Sequence, residues 1–96
     1  MALDMRETNY KKVGRRLAAV RLAMGMKQNE FARLIGVSEQ NMNNYETGRS
    51  RPRVDIAFRI CQKTGITLDW IYFGDPAGLP QRLTKLIFQE DGSLRA

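Results

Sequence analysis

Apolar residues recur along this chain at intervals of three and four, and most of these runs are closed by a glycine. Tyr10, Val13, Leu17, Val20 and Met24 keep that spacing, which predicts a first helix from about Asn9 to Met24, ended by Gly25. Phe31, Leu34 and Ile35 mark a second, from about Gln28 to Ile35, closed by Gly36. A third is predicted from about Ser38 to Glu46, where Ser38 can cap it and Met42 and Tyr45 fall three apart on one face. It stops near Gly48, and "GRSRPR" follows as a basic loop, because the residue before Pro52 is pushed out of helical geometry. The fourth helix, about Val54 to Lys63, is expected to turn Val54, Ala57, Phe58, Ile60 and Cys61 inward and to end at Gly65. In the fifth, Thr67 caps, Leu68, Trp70, Ile71 and Phe73 pack, and Gly74 terminates. Leu79, Leu83, Leu86 and Ile87 mark a weaker sixth helix, and "EDGSLRA" reads as a frayed tail. No stretch alternates apolar and polar residues as a half-buried strand would, so the fold class is all-α. Short helices with short connections predict a compact orthogonal bundle of five helices with a short sixth at the C-terminal end.

Two features of this pattern carry chemistry. Only Gly36 and Val37 separate Ile35 from the cap Ser38, so the second and third helices must cross steeply. That is a helix-turn-helix, whose second helix is the one presented to the DNA major groove. Ala32 falls where the crossing helices approach most closely, and Gly36 supplies the left-handed conformation of the turn. The third helix itself is rich in amides: once Val37, Met42 and Tyr45 face the core, Glu39, Gln40, Asn43 and Asn44 occupy the opposite face, with Asn41 at its flank. Side-chain amides are uncharged but carry donors and an acceptor together, which suits them to reading another molecule rather than to packing. Asn and Gln can bond adenine N6 and N7 in a bidentate manner, and Glu39 can accept from cytosine N4.

The stretch "GMKQNEFARLIGVSEQNMNNYETGRSRP", followed by "GITLDWIYFG", resembles the Cro/CI-type helix-turn-helix family of phage-repressor-like transcriptional regulators. The resemblance covers about residues 10–74. It implies that Gln28 holds a DNA phosphate and braces the recognition helix, and that Glu39, Gln40 and Asn44 reach base edges. Asn43 and the loop residues Arg49, Arg51 and Arg53 would contact phosphates or the minor groove. Arg21 and Glu46 match a pair that forms a structural salt bridge between the first and third helices. Trp70 and its neighbours resemble a segment that contributes to dimerisation, whereas Leu79, Leu83 and Leu86 either extend the core or build a dimer contact. Lys27 departs from the family, which often has Ser or Thr there; that helix end is less well capped, although lysine can add a phosphate contact. Thr64 also departs, standing where an apolar residue is common. The implied organisation is an N-terminal arm over residues 1–8, a DNA-binding domain over 9–74 and a C-terminal extension over 75–96.

Charge sharpens the picture. The chain of 96 residues carries a net charge of +6 and a pI of about 10.0. Residues 11–53 hold ten basic side chains and only three acids, so the excess positive charge sits in the segment that contains the helix-turn-helix. A contiguous basic region suits a polyanion partner. Lys11, Lys12, Arg15 and Arg16 touch phosphates or form a solvated face.

The hydrophobic content of 43% suffices for one small core, hence one domain. No apolar run approaches the roughly 18 residues of a membrane span, and "MALDMRETNY" lacks the apolar centre of a secretory signal. The lone Cys61 excludes an internal disulfide and fits a reducing compartment, so a cytoplasmic location is expected. There is no histidine, no Cys/His metal cluster and no phosphate-cradling glycine loop, so neither an enzyme nor a metal or other cofactor is expected.

The expected function is a sequence-specific regulator of transcription that binds double-stranded DNA, acting as a homodimeric repressor on a palindromic operator. The alternative is the antitoxin of a toxin–antitoxin pair, binding a toxin protein and its own promoter. RNA binding would want exposed aromatic side chains for stacking, whereas most aromatic residues here fall on core faces.

Overall fold

The computed structural model describes residues 5–95, with side chains from residue 10 onward. Among them are six helices: α1 (Met5–Ala23), α2 (Gln28–Ile35), α3 (Glu39–Thr47), α4 (Val54–Thr64), α5 (Leu68–Phe73) and α6 (Gln81–Ile87). Of the expected N-terminal arm, residues 1–4 lie outside the described residues, and α1 begins at Met5 rather than near Asn9. No helix among the described residues is long and apolar enough to cross a membrane.

α1 is the central post, packing against α3, α5 and α6, while α2 packs on α3 and α4. Val13, Leu17 and Val20 of α1 are buried with Phe31, Ile35, Met42, Ile60, Trp70 and Ile71 in one core. Side chains of that size are each worth about 1.5–3 kcal/mol when fully buried. Two caps act as their residue types predict: Ser38 Oγ accepts from Asn41 N–H at 3.0 Å, and Thr67 Oγ1 from Trp70 N–H at 2.9 Å. Lys27 has no acceptor to offer at the start of α2, so only half of a capping box forms there, with Lys27 N–H donating to Glu30 Oε1 at 2.8 Å.

The predicted inward faces of α4 and α5 are partly wrong. Val54 is 66% and Phe58 55% exposed, and the buried stripe of α4 is Ile56, Ala57, Ile60 and Thr64. A polar residue can hold that position because Thr64 is satisfied locally: its hydroxyl donates to Ile60 O at 2.7 Å and accepts from Ile66 N–H at 3.2 Å. Phe73, expected to pack, is 81% exposed at the last position of α5, and the neighbouring Tyr72 is the residue tied inward. Cys61 is half-buried, and burial pushes its thiol pKa up.

The tail is not frayed over its described residues. Phe88 and Leu94 form an antiparallel bridge, Gln89 N–H donates to Ser93 O at 2.7 Å, and Arg95 N–H reaches back to Ile87 O at 2.9 Å. This turn carries Leu94 onto the core beside Phe88.

Candidate nucleic-acid interface

The turn between α2 and α3 is built from backbone bonds. Gly36 adopts φ 76° and ψ 35°, Val37 N–H donates to Ala32 O at 3.0 Å and Gly36 N–H to Arg33 O at 3.3 Å. This is the Schellman pattern, in which a left-handed residue lets its own amide and the next one satisfy the helix's last carbonyls. Arg59 of α4 completes the end, donating through Nη1 to Ile35 O at 2.9 Å. The positive φ closes the position to larger residues, and a Cβ on Gly36, 2.8 Å from that same Nη1, would also displace Arg59 from the Ile35 carbonyl. Ala32 is buried at the crossing of the helices, as its size requires.

With Met42 and Tyr45 buried, α3 turns Glu39, Gln40 and Asn41 to solvent, and Asn43 and Asn44 sit half-buried alongside them. Gln28, Glu39, Gln40 and Asn43 surround one shallow recess. Gln40 Nε2 donates to Asn44 Oδ1 at 3.1 Å, aligning two of the expected base readers one turn apart.

Beneath this face lies a polar network that fixes α3 to its neighbours. Arg21 Nε donates to Glu46 Oε2 at 2.7 Å and Nη2 to Oε1 at 3.0 Å, a two-pronged pair whose side chains are only 14% and 7% exposed. Arg21 Nη1 also donates to Met26 O at 2.9 Å, stitching the turn after α1. Gln28 Nε2 donates to Glu46 Oε1 at 3.1 Å and to Asn43 Oδ1 at 3.3 Å. Both hydrogens of that amide are therefore engaged within the protein, and its remaining atom is an acceptor oxygen, which has no hydrogen to donate to a phosphate. In this state the Gln28 side chain is a brace between α2 and α3.

The basic loop after α3 is held at the adjacent residues Arg51 and Pro52. The Arg51 guanidinium lies 4.6 Å from the centre of the Tyr10 ring, a cation–π contact, and Tyr72 OH donates to Pro52 O at 2.9 Å. Burial raises the Tyr72 pKa, so the phenol remains a donor. Arg49, Arg51 and Arg53 are exposed; Arg53 makes a 3.6 Å ion pair with Asp55 in which both side chains are largely in solvent. Such a pair contributes little to stability and leaves Arg53 open to a stronger anion.

The residues expected at a dimer contact divide. Trp70, Leu79 and Leu83 are buried inside this one chain and have no surface to offer a second copy; only Leu86 is exposed. Their burial follows from α6 lying across α1, which uses the leucine stripe as core. Arg16 also leaves the basic face. It is buried, its Nε and Nη2 donate to Ile71 O at 3.1 and 3.0 Å, and burial lowers its pKa.

Positioning residues that pattern reasoning missed are Gly14, Tyr10, Arg59 and Tyr72. Gly14 had a readable signal: an isolated glycine within a helical pattern costs stability unless something needs the space. Here the carbonyl groups of Tyr45 and Glu46 fill it, and a Cβ on Gly14 would lie 2.5 Å from the Glu46 oxygen.

A family model described as helix-turn-helix matches residues 17–71, a span that includes α2, the turn and α3. An uncharacterized transcriptional regulator in the ATPase CF(0) region of Rhodospirillum rubrum is 34% identical over 68 residues, covering 67% of this chain and 63% of that protein. Antitoxin PezA of Streptococcus pneumoniae serotype 4 (strain ATCC BAA-334 / TIGR4) is 31% identical over 55 residues, 57% of this chain and 35% of that protein. The chain thus spans about a third of the one relative and under two thirds of the other. With the turn, the buried anchors of α3 and its outward amides in place, the chain belongs to the Cro/CI-type helix-turn-helix family of DNA-binding regulators.

Proposed function

We propose that the protein is a sequence-specific regulator of transcription that lays α3 in the major groove of double-stranded DNA and represses by occupying a promoter. The observation that carries this reading is the amide-rich outer face of α3, held rigid from behind by the Arg21–Glu46–Gln28 network. Glu39, Gln40 and Asn44 read base edges; Lys27, Asn43, Arg49, Arg51 and Arg53 hold the backbone, setting register without carrying sequence information. One such helix reads few base pairs, so specificity calls for two copies on a palindromic operator, with half-sites about 34–36 Å apart. The exposed α4 residues Val54 and Phe58, one turn apart and directly after the basic loop, are the surface through which two copies pair.

The test is fluorescence anisotropy of a labelled duplex from about 50 to 200 mM salt. Binding should weaken with a log–log slope of several units, about −0.9 per phosphate contact, and Arg51→Ala should reduce that slope by about one. On an operator selected from a random pool, Gln40→Ala should lose about 1–3 kcal/mol of discrimination while leaving the slope unchanged. No binding at about 50 mM salt would overturn the reading.

The similarity to antitoxin PezA supports a second reading, in which the chain also binds a toxin protein. A toxin partner that co-purifies at fixed stoichiometry, and leaves DNA binding to the α3 face intact, would establish it.

A further inference from the structure

On the side of α1 turned toward α5, a cleft of about 450 Å³ opens between α1, α5 and the C-terminal turn. None of its lining residues belongs to the face of α3 or to the loop of residues 49–53. Its size falls within the roughly 300–1,000 Å³ of small-molecule sites. The walls are Trp70, Phe88 and Leu94, with Trp70 and Phe88 packed edge-to-face at 5.5 Å between ring centres. Lys12 and Arg15 stand exposed at its edge, and Arg16 lines it from α1.

Two donors on the lining residues lack acceptors among the described residues. Trp70 Nε1 is buried and has no hydrogen-bond partner among the described residues. A buried indole N–H ordinarily finds one, and an exception calls for an explanation. Arg16 uses Nε and Nη2 on the carbonyl of Ile71, which leaves Nη1, beside Gly74, without a bonded partner among the described residues. The described lining residues include three cations and no carboxylate, and neither Lys12, Arg15 nor Arg16 has an ion pair among the described residues. A site with apolar walls, an unmatched guanidinium donor and an unbalanced positive charge is complementary to a molecule with an apolar body and an anionic head.

We propose that this cleft binds a small organic anion, a carboxylate or phosphate carried on an apolar, ring-sized body. Its head group accepts from Arg16 Nη1 and draws on the charge of Lys12 and Arg15, while its body packs on Trp70, Phe88 and Leu94. A guanidinium is suited to such head groups by its planar array of donors. DNA phosphate itself does not fit the description, because it brings no apolar body to cover these walls. The site goes beyond the DNA reading and does not depend on it, since the two sets of residues are separate.

Trp70 is the sole tryptophan, so the full chain carries its own probe. It would be titrated without DNA, using phenylpropanoate, phenyl phosphate and the neutral phenylpropanol, with tryptophan fluorescence and the single indole N–H resonance as readouts. The expected result is saturable binding of at least one anion with Kd below about 1 mM. The indole N–H resonance should shift with the same midpoint as the ligand packs against the ring. The neutral alcohol should bind about tenfold more weakly, and the exposed double variant Lys12→Gln/Arg15→Gln should weaken the anion about tenfold with its circular dichroism unchanged. Preference between the two anions identifies the head group. No saturation by either anion up to about 10 mM, equal binding of the alcohol, or an affinity indifferent to the double variant would overturn the proposal. Because no DNA is present, any of these outcomes leaves the reading of α3 standing.

Discussion

At the scale of single residues, Gly14 shows how a packing demand overrides a local preference. Alanine in place of an interior glycine ordinarily stabilises a helix by about 1 kcal/mol. Here its methyl group would fall 2.5 Å from the Glu46 carbonyl oxygen and 2.8 Å from the carbonyl carbon, both backbone atoms. Gly14→Ala is therefore expected to destabilise by about 1–3 kcal/mol net, as overpacked cores do. Thermal unfolding by circular dichroism checks this: the midpoint should fall by about 4–8 °C for each kcal/mol, and a rise would mean that α1 and α3 separate easily. Asp91 sets a second expectation. Hydrogen bonds from the Ser93 side chain and backbone hold its carboxyl pKa below the ordinary value of 3.8. A lowered pKa means that the charged form supports the fold, so this support is complete above the ordinary value and is lost as pH falls through the lowered one. The turn over residues 89–93 should loosen only in that acidic window, seen as faster exchange of the Ser93 amide.

At the scale of elements, Glu46 is the joint of the helix-turn-helix. It receives Arg21 from α1 and Gln28 from α2 while belonging to α3. Removing one member of so enclosed a pair leaves the other charged and unmatched, which costs more than the pair contributes. Glu46→Gln should lower unfolding free energy by on the order of 3 kcal/mol in urea titrations, and Gln28→Ala by about 1 kcal/mol. Gln28→Ala should also weaken DNA binding without changing its salt slope, because the side chain supports α3 rather than a phosphate. A reduced slope would place the amide on the backbone after all.

At the scale of the whole molecule, burial of Trp70, Leu79 and Leu83 moves any pairing surface elsewhere. Val54 and Phe58 remain as large apolar side chains on one face of α4, and Phe73 at the end of α5 is the most exposed of its kind among the described residues. Phe58→Glu should shift a dimer toward monomer in sedimentation equilibrium, with helix content unchanged, and should weaken operator binding while leaving per-monomer affinity for random DNA little altered. A dimer indifferent to that change would place the contact at Leu86 or elsewhere.

Helix order, the caps at Ser38 and Thr67, the turn at Gly36 and the outward amides of α3 were legible in the chain alone. Each depends on residues within a turn or two of one another, where periodicity, side-chain oxygen and backbone conformation suffice. The Arg21–Glu46 pair was legible only through the family resemblance. Tertiary structure alone decided which side of α4 is buried, why Gly14 has no side chain, where the Gln28 hydrogens go and how the tail closes over Phe88. Those outcomes depend on partners far apart in sequence, such as Arg16 and Ile71 at a separation of 55 residues or Arg59 and Ile35 at 24. An apolar pattern states that a residue can be buried; which of several such residues is buried follows from what the neighbouring helices leave uncovered.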